Sequence, residues 1–444
     1  MSWRNSVSRL FADATPRLGL YSTDTSMAIP AQPNTDPTQR GRTHAKRLAC
    51  TLHTPGFPVL WGATLCGQIG AGMQQVLLGW LVLSMTDSSS MVGVLFAVRS
   101  LPNLLVGFAA GAITDRLDRR ILMRVMVCGL ALVAWLIAWL VWMEQMALWP
   151  LLLCTGLFGL LQAFESTARQ VYTCDIVGLS GAVQGLALLS IGQRLGGVLG
   201  SLLAGAALQW WGTSVSFLLM GISYGGGAVA LWALRYRGAA APRVKESMWH
   251  NVVAYGQELR TNRLMQSLML STAGAELLGF SHQVMLPILA RDVLHSGAAG
   301  LGILTAARSL GGVVGSGILT ALSPVRHRGA LLLTTLVFFG AGQVVLAHAP
   351  YFWLAVGCVM FINIMAAAAD LLHMVLLQHS VANEQRGRAM GAWVVGIGTA
   401  PVGHLEIGYL AGVAGVRLAL LLNGVALMIL AGAFALCLPR LRRL

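Results

Sequence analysis

A chain of 444 residues that is 56% hydrophobic and only 10% charged carries too little charge to stay dispersed as a soluble protein. Its net charge of +14 could indicate a nucleic-acid partner, but the basic residues lie in short turns between apolar runs and not on one basic face. The composition therefore predicts a membrane protein, with the lipid bilayer as its solvent and no nucleic-acid partner.

The first stretch of the chain, 1–55, differs from the rest because it is rich in Ser, Thr, Pro, Arg and Asp. It lacks the apolar run that a secretory signal requires. This composition predicts a disordered cytoplasmic tail. Either Met1 or Met27 could be the true start, and the sequence leaves both open.

Twelve apolar segments follow the tail. Each is near the length of about 20 residues that crosses a bilayer core of about 30 Å. Small residues are dense within them, as close packing between membrane helices prefers. In chain order the predicted helices are 58–83, 91–113, 121–143, 148–168, 182–208, 213–235, 264–290, 299–322, 329–348, 351–376, 389–413 and 416–438.

The distribution of basic residues between the turns predicts the orientation of these helices. With the N-terminus inside, the opposite side holds only Arg291 and Arg417. The cytoplasmic side then holds Arg116, Arg119, Arg120, Arg124, Arg169, Arg235, Arg237, Arg243, Lys245, Arg260, Arg263, Arg326, Arg328, Arg386, Arg388, Arg440, Arg442 and Arg443. Both termini are therefore predicted to be cytoplasmic.

The chain also repeats itself. The run that ends Arg99-Ser100-Leu101 in the second predicted helix aligns with the run that ends Arg308-Ser309-Leu310 in the eighth, about half the helical region later. This repeat predicts an all-α membrane protein made of two six-helix bundles, 56–235 and 264–438. A cytoplasmic connector, 236–263, would join them, and a cytoplasmic C-terminus, 439–444, would follow.

A motif between the second and third predicted helices consists of Gly111, Asp115, Arg116, Arg119 and Arg120, spaced as G-x-x-x-D-R-x-x-R-R. It resembles the signature loop of the major facilitator superfamily, with Asp118 in place of the usual glycine. We expect Asp115 to cap the third helix or to pair with a basic group.

Further stretches resemble one subgroup of that superfamily. They are Leu286-Pro287 with Ala290-Arg291-Asp292, and the run 378–390 that leads into Pro401-Val402-Gly403. The subgroup includes the enterobactin (siderophore) exporter and macrolide-efflux permeases. The resemblance implies a monomeric transporter of the bacterial inner membrane that moves a small molecule by alternating access.

Charged side chains within the apolar segments need a reason, because each costs at least about 2.5–3.5 kcal/mol to insert. They are Arg99, Arg194 and Arg308 in predicted helices two, five and eight, and Glu165, Glu276, Asp370 and Glu406 in helices four, seven, ten and eleven. The resemblance implies that helices one, four, seven and ten line a central cavity. Helices two, five, eight and eleven would then form the contact between the halves.

Two hypotheses concern the arginines. Arg99 and Glu406 would form an ion pair across the halves, which could be a gate or a static salt bridge. Arg194 and Arg308 would face each other across the other contact without a matching acid. Two such cations favour a cargo with carboxylate or catecholate oxygens.

The carboxylates are candidates for proton coupling, which needs a carboxyl that takes up a proton near neutral pH, as burial favours. Glu276 is the first candidate for proton coupling because it lies deepest among apolar neighbours, and it is also a candidate for contact with the cargo. Glu165 and Asp370 could belong to the same set, or could be satisfied by Arg169 or a backbone amide. His282 and His404 are candidates for a proton relay.

The sequence contains no nucleotide-binding, metalloprotease or nucleophile-elbow motif and no convincing metal-ligand cluster. We therefore predict no enzyme activity, no catalytic residue, no metal and no cofactor, with the proton gradient as the energy source. The predicted function is proton-coupled export of a small molecule such as a siderophore. A multidrug or macrolide efflux pump is the alternative, followed by a membrane receptor or scaffold that does not transport.

Overall fold

The computed structural model describes residues 52–114, 117–234, 262–321, 327–380, 393–437 and 442, and within these ranges it contains helices and no strand. The first half of the chain forms α1 (Phe57–Thr86), α2 (Ser89–Thr114), α3 (Arg119–Trp142), α4 (Leu148–Gly178), α5 (181–211) and α6 (213–233). The second half forms α7 (263–293), α8 (Gly297–Ala321), α9 (Arg328–Ala347), α10 (Phe352–His379), α11 (Ala400–Ala414) and α12 (Val416–Cys437).

Glycine and proline set the breaks in these helices. Gly178 and Gly212 have φ of +69° and +78°, a region that suits glycine, and they separate α4, α5 and α6 within one helical stretch. In α7, Pro287 has no N–H to donate to the carbonyl of Gln283 one turn earlier, and that carbonyl accepts instead from the Leu286 N–H. The helix is accordingly irregular there: Ala275–Gly279 is π-helical and Phe280–Met285 is a 3₁₀ helix.

Eight helices in the described part of the chain are long and apolar enough to cross a membrane, counting 181–233 as one. The prediction of an all-helical membrane protein is therefore confirmed for the described ranges. The count of twelve crossings, the duplication and the orientation of the termini stay predictions. The tail 1–55, the connector 236–263 and the C-terminus 439–444 lie almost wholly outside the described residues.

The two halves of the chain meet at helix crossings where glycine faces glycine. Gly93 of α2 packs on Gly408 of α11, and a Cβ atom on Gly93 would lie 2.6 Å from the carbonyl oxygen of His404. Gly302 of α8 packs in the same way on Gly205 of α5, where a Cβ would lie 2.7 Å from the Ser201 carbonyl oxygen. Only glycine permits backbones to approach this closely. Both crossings lie at the end of the molecule that carries the α1–α2 turn.

Candidate functional site

A cavity of about 420 Å³ lies between the halves, lined by residues of α1, α2, α5, α7, α8 and α10. The charged residues that line it are Arg99, Arg194, Arg308 and Asp370. The structure thus brings the three membrane arginines of the sequence analysis together at one site. Three guanidinium groups and one carboxylate give this cavity an excess of positive charge.

The three arginines are held by neutral partners. Arg308 donates from Nη1 to Oε1 of Gln75 at 3.0 Å, and Arg194 donates from Nη2 to Oγ of Ser316 at 2.9 Å. Arg99 donates from Nη2 to Oε1 of Gln162 at 3.4 Å. Among the described residues none of the three forms an ion pair. Their charge is therefore available to an anion that enters the cavity.

The expectation that no acid accompanies Arg194 and Arg308 is wrong. Asp370 of α10 lines the same cavity and lies close enough to Arg194 to interact electrostatically. Its Oδ1 accepts a hydrogen bond from Nε1 of Trp393 at 3.3 Å. The packing of α10 against α8 brings this carboxylate into the cavity, and its predicted part in proton coupling stays a prediction.

Glu276 lies in the π-helical turn of α7, a type of turn that often marks functional sites. It has no hydrogen-bond or ion-pair partner among the described residues, although Asp370 and Arg308 lie within electrostatic range. A carboxyl without such a partner, close to two residues that line the cavity, matches its predicted roles in proton coupling or cargo binding, and both roles stay predictions.

The predicted ion pair between Arg99 and Glu406 is wrong. Glu406 accepts a hydrogen bond from Nδ2 of Asn423 in α12 at 3.0 Å, on the side of α11 away from α2. His404 faces α2 instead, with Nδ1 at 3.2 Å from Oγ of Ser100. Residues two positions apart on a helix differ in direction by about 200°, so His404 and Glu406 point to opposite sides.

Glu165 has an internal partner. Its Oε1 accepts a hydrogen bond from Nη1 of Arg169 at 3.0 Å, one turn further along α4, and both side chains are buried. Both residues line a second cavity of about 240 Å³, which Arg99 also lines. Of the two interpretations offered by the sequence, satisfaction by Arg169 fits this geometry.

The signature loop is fixed in part by Asp175, a residue that the sequence analysis did not single out. Nη1 of Arg119, which is buried, donates to both carboxylate oxygens of Asp175 at 2.7 Å and so ties α3 to α4. Oδ1 of Asp118 accepts from the Arg120 backbone N–H at 2.9 Å, which makes Asp118 the N-cap of α3. Asp115 and Arg116 lie outside the described residues, so the role expected of Asp115 stays a prediction.

Uncharged glutamines form the polar network that sequence reasoning missed. Gln162 donates to Gln74 at 2.6 Å, and the hydroxyl of Tyr224 donates to the same Gln74 oxygen at 2.9 Å. Gln75 and Gln283 bond across the halves at 3.3 Å. The sequence did contain a sign of this network, namely glutamines within otherwise apolar segments. An amide group in a membrane helix needs a hydrogen-bond partner, so each such glutamine indicates a polar contact.

The described residues contain no group of three or more His, Cys, Asp or Glu side chains that could hold a metal ion.

His282 accepts a hydrogen bond from Asn363 at 3.3 Å and contacts the Gly279 carbonyl at 2.7 Å, which satisfies both ring nitrogens. Its contacts therefore lie within the C-terminal half of the chain.

Solved structures of other proteins share the fold of this chain. The nucleoside transporter NupG superimposes with a TM-score of 0.68 at 12% identity and covers 86% of this chain and 98% of its own. A bacterial homolog of the human lysosomal transporter Spinster, inward-facing and unoccupied, gives 0.69 at 15% identity, with 90% and 97% covered. The fold is shared with these transporters, and the membership of the major facilitator superfamily that the signature loop predicted is confirmed by the family match that follows.

Residues 48–444 match the family described as transmembrane secretion effector, and the chain belongs to this family. It is a multi-pass membrane transporter and not an enzyme, as predicted.

Curated relatives include the staphyloferrin A transporter of Staphylococcus aureus, 22% identical over 78% of this chain and 87% of the relative. The enterobactin exporter EntS of Citrobacter koseri is 26% identical over 76% and 81%. The multidrug efflux pump Tap of Mycolicibacterium fortuitum is 24% identical over 89% and 98%. The similarity to siderophore exporters that the sequence motifs indicated is therefore confirmed at the level of sequence.

Proposed function

We propose that this protein is a secondary active exporter of a small anionic molecule, such as a siderophore, and that it works by alternating access as a monomer of the bacterial inner membrane. The observation that carries this proposal is the cavity between the halves, where Asp370 is the one carboxylate among the described lining residues and Arg99, Arg194 and Arg308 supply three positive charges. Guanidinium groups without an ion-pair partner bind carboxylate or catecholate oxygens strongly. Two relatives named for siderophores support the cargo class.

The contacts between the halves support a state that is closed at one end. Besides the glycine crossings, Nη1 of Arg291 in α7 donates to Oδ1 of Asp87 at 2.7 Å and to the Leu83 carbonyl at 3.0 Å. Under the predicted orientation this closed end faces outward, and the central cavity receives cargo from the cytoplasm. That is the loading state of an exporter.

Proton coupling is the energy source that we propose, without any cofactor. Glu276, which lies within electrostatic range of Arg308 and Asp370 and has no hydrogen-bond or ion-pair partner among the described residues, is the carboxylate best placed to take up a proton. Asp370 is the second, because it shares the cavity with the arginines. A carboxylate in this position can link proton occupancy to the charge that the cargo meets.

Multidrug efflux is the alternative function. The similarity to Tap extends over 98% of that pump's length, further than the similarity to either siderophore transporter. The unpaired Glu276 would then contact a cationic drug. The cavity's excess of arginine favours the anionic cargo over this alternative.

Transport into inverted membrane vesicles tests the proposal. We expect uptake of a citrate-based siderophore, driven by an imposed proton gradient, and little uptake of the cationic dye ethidium. Arg194→Gln and Arg308→Gln should abolish siderophore uptake, while Arg417→Gln, a change of an exposed arginine, should not. If the parent protein takes up no siderophore, and ethidium uptake persists in both Arg194→Gln and Arg308→Gln, the multidrug alternative is established.

A further inference from the structure

Five polar side chains form a continuous hydrogen-bonded chain from the cavity into the contact between the halves. Arg308 bonds to Gln75 at 3.0 Å, Gln75 to Gln283 at 3.3 Å, Gln283 to His404 at 3.0 Å and His404 to Ser100 at 3.2 Å. Arg308, Gln283 and His404 belong to the C-terminal half, and Gln75 and Ser100 to the N-terminal half. We call these residues the cross-half chain, since three of its four bonds join one half to the other.

The direction of every bond in the cross-half chain follows from Arg308, because a guanidinium can only donate. Gln75 must turn its oxygen to Arg308 and its NH₂ to Gln283. Gln283 must then accept with its oxygen and donate to Nε2 of His404, as the distances require. His404 is thus neutral with its proton on Nδ1, which lies 3.2 Å from Oγ of Ser100 and also reaches the Phe96 carbonyl.

Ser100 completes the sequence of donors, since its own hydroxyl donates to the Phe96 carbonyl at 2.9 Å and so leaves its lone pairs free to accept. His404 is buried, and its ring contacts Phe96 edge to face. Every member of the chain therefore has one consistent role. A change in hydrogen bonding at Arg308 or at Ser100, the two ends of the chain, therefore reverses or breaks the hydrogen bonds of Gln75, Gln283 and His404.

We propose that Gln75, Gln283 and His404 are positioning residues of the cargo site, which hold Arg308 in the cavity and tie its occupation to the contact between the halves. This proposal rests on the proposed function, in which Arg308 binds an anionic group. A carboxylate forms a stronger, charge-assisted bond to Arg308 than the neutral Gln75 does. An anion that takes Nη1 away from Gln75 removes the group that orients both amides, and the bonds between the halves weaken.

Protonation of His404 breaks the same chain from its other end. A charged imidazole donates from both nitrogens and cannot accept from Gln283. Charged groups near His404 are Arg99 of α2 and Arg308 of α8, while Gln283 of α7 is neutral. Glu406, on the same helix, points away toward Asn423 of α12. Cargo and proton therefore both favour separation of the halves at their closed end.

The experiment measures that separation in full-length protein in lipid nanodiscs. Ser90, which donates to the Gly408 carbonyl at 3.3 Å in the closed contact, is changed to cysteine. The rate at which a charged maleimide labels it reports opening, with protein lacking Ser90→Cys as the blank for native cysteines. At about pH 7.5 citrate, the anionic probe, should speed labelling at least about fivefold, a typical coupling between sites.

Substitutions within the chain make the test specific. Gln283→Leu should label fast without citrate and gain nothing from it. Gln145→Leu is the matched control, because Gln145 is an exposed glutamine just beyond α3, outside both the cavity and the chain, and it should behave as the parent does. Gln283→Leu that labels at the parent rate and still responds to citrate would overturn the proposal.

Acidification without citrate supplies a signature that a merely structural residue would not give. Between about pH 7.5 and about pH 4, the labelling rate of Ser90→Cys divided by that of the exposed native Cys437, which corrects for the loss of thiolate, should rise; the acid limit is needed because Arg99 and Arg308 oppose a charge on His404. Gln283→Glu should reverse this sign, because its carboxylate accepts from both Gln75 and a protonated His404. The same pH response in both proteins would also overturn the proposal.

The outcome for the chain and the outcome for the cargo can be separated. A parent that ignores citrate while Gln283→Leu labels fast supports the cross-half chain and counts against a citrate-like cargo. A parent that responds to citrate while Gln283→Leu is indistinguishable from it supports the anionic cargo and rejects the chain.

Discussion

Arg99 and Arg308 occupy aligned positions in two similar helices, α2 and α8, yet they bond in different directions. Arg99 donates to Gln162 within its own half, whereas Arg308 reaches Gln75 in the other half. The glycines of the same repeat behave alike: Gly93 and Gly302 each meet a glycine of the opposite half. The repeat thus preserves the backbone crossings, while the side chains give only one of the two arginines a bond between halves.

The largest expected effect distinguishes the two arginines. Arg308→Gln removes a cavity charge and a bond between halves, and Arg99→Gln removes a charge held within one half. Loss of one member of a buried, hydrogen-bonded charge contact costs about 2–5 kcal/mol, so we expect at least about 30-fold slower uptake of a citrate-based siderophore for Arg308→Gln. The loss for Arg99→Gln should be several times smaller. Equal losses, measured as initial rates in vesicles at matched expression, would show that the bond to Gln75 has no special role.

A second prediction tests the feature that the halves share. Gly93→Val and Gly302→Val each place a Cβ atom under 3 Å from the backbone of the opposing helix. Such overlap in a close-packed contact costs about 1–3 kcal/mol, and we expect roughly tenfold slower transport and faster labelling of Ser90→Cys in both variants. Gly432→Val, at a position where a Cβ meets nothing within 4 Å, is the matched control. A strong effect in only one crossing would mean that the halves do not move symmetrically.

The smallest effect concerns the serines that follow the two arginines. Ser100 contacts His404 of the other half, but the hydroxyl of Ser309 donates to Thr305, one turn back in its own helix. A single neutral hydrogen bond contributes about 1 kcal/mol, so Ser100→Ala should slow transport about fivefold. Ser309→Ala should remain within about twofold of the parent, because its bond is local. Initial transport rates of the two variants, measured side by side in vesicles, provide the test. A slower rate for Ser309→Ala than for Ser100→Ala would contradict this assignment.

Much of the fold was predictable from the sequence because the membrane restricts what a chain can do. A span needs about 20 apolar residues and an internally bonded backbone, so the predicted 121–143 and 416–438 match α3 and α12 within a few residues. The spans are least regular where Pro287 distorts α7. No apolar count reveals such a distortion, since hydropathy does not register a lost hydrogen bond.

The site was predictable only as a set of residue types. Buried arginines had to meet something polar, and Arg99, Arg194 and Arg308 do share one cavity. Glu406 failed as a partner because its direction depends on the rotation of α11, which the sequence does not fix. Asp175 and the glutamines were missed because their importance depends on which helix lies opposite.

The sequence by itself determined that this protein crosses the membrane and carries charged side chains within its membrane segments. The free-energy cost of burying a charge or an unpaired amide in lipid depends on the segment that contains it and not on its neighbours. Only the tertiary structure decided which partner each of those groups has. A hydrogen bond depends on distances of about 3 Å between helices that are remote in the chain. The bond between Arg308 and Gln75 exists because α1 and α8 pack together, and no local pattern specifies that packing.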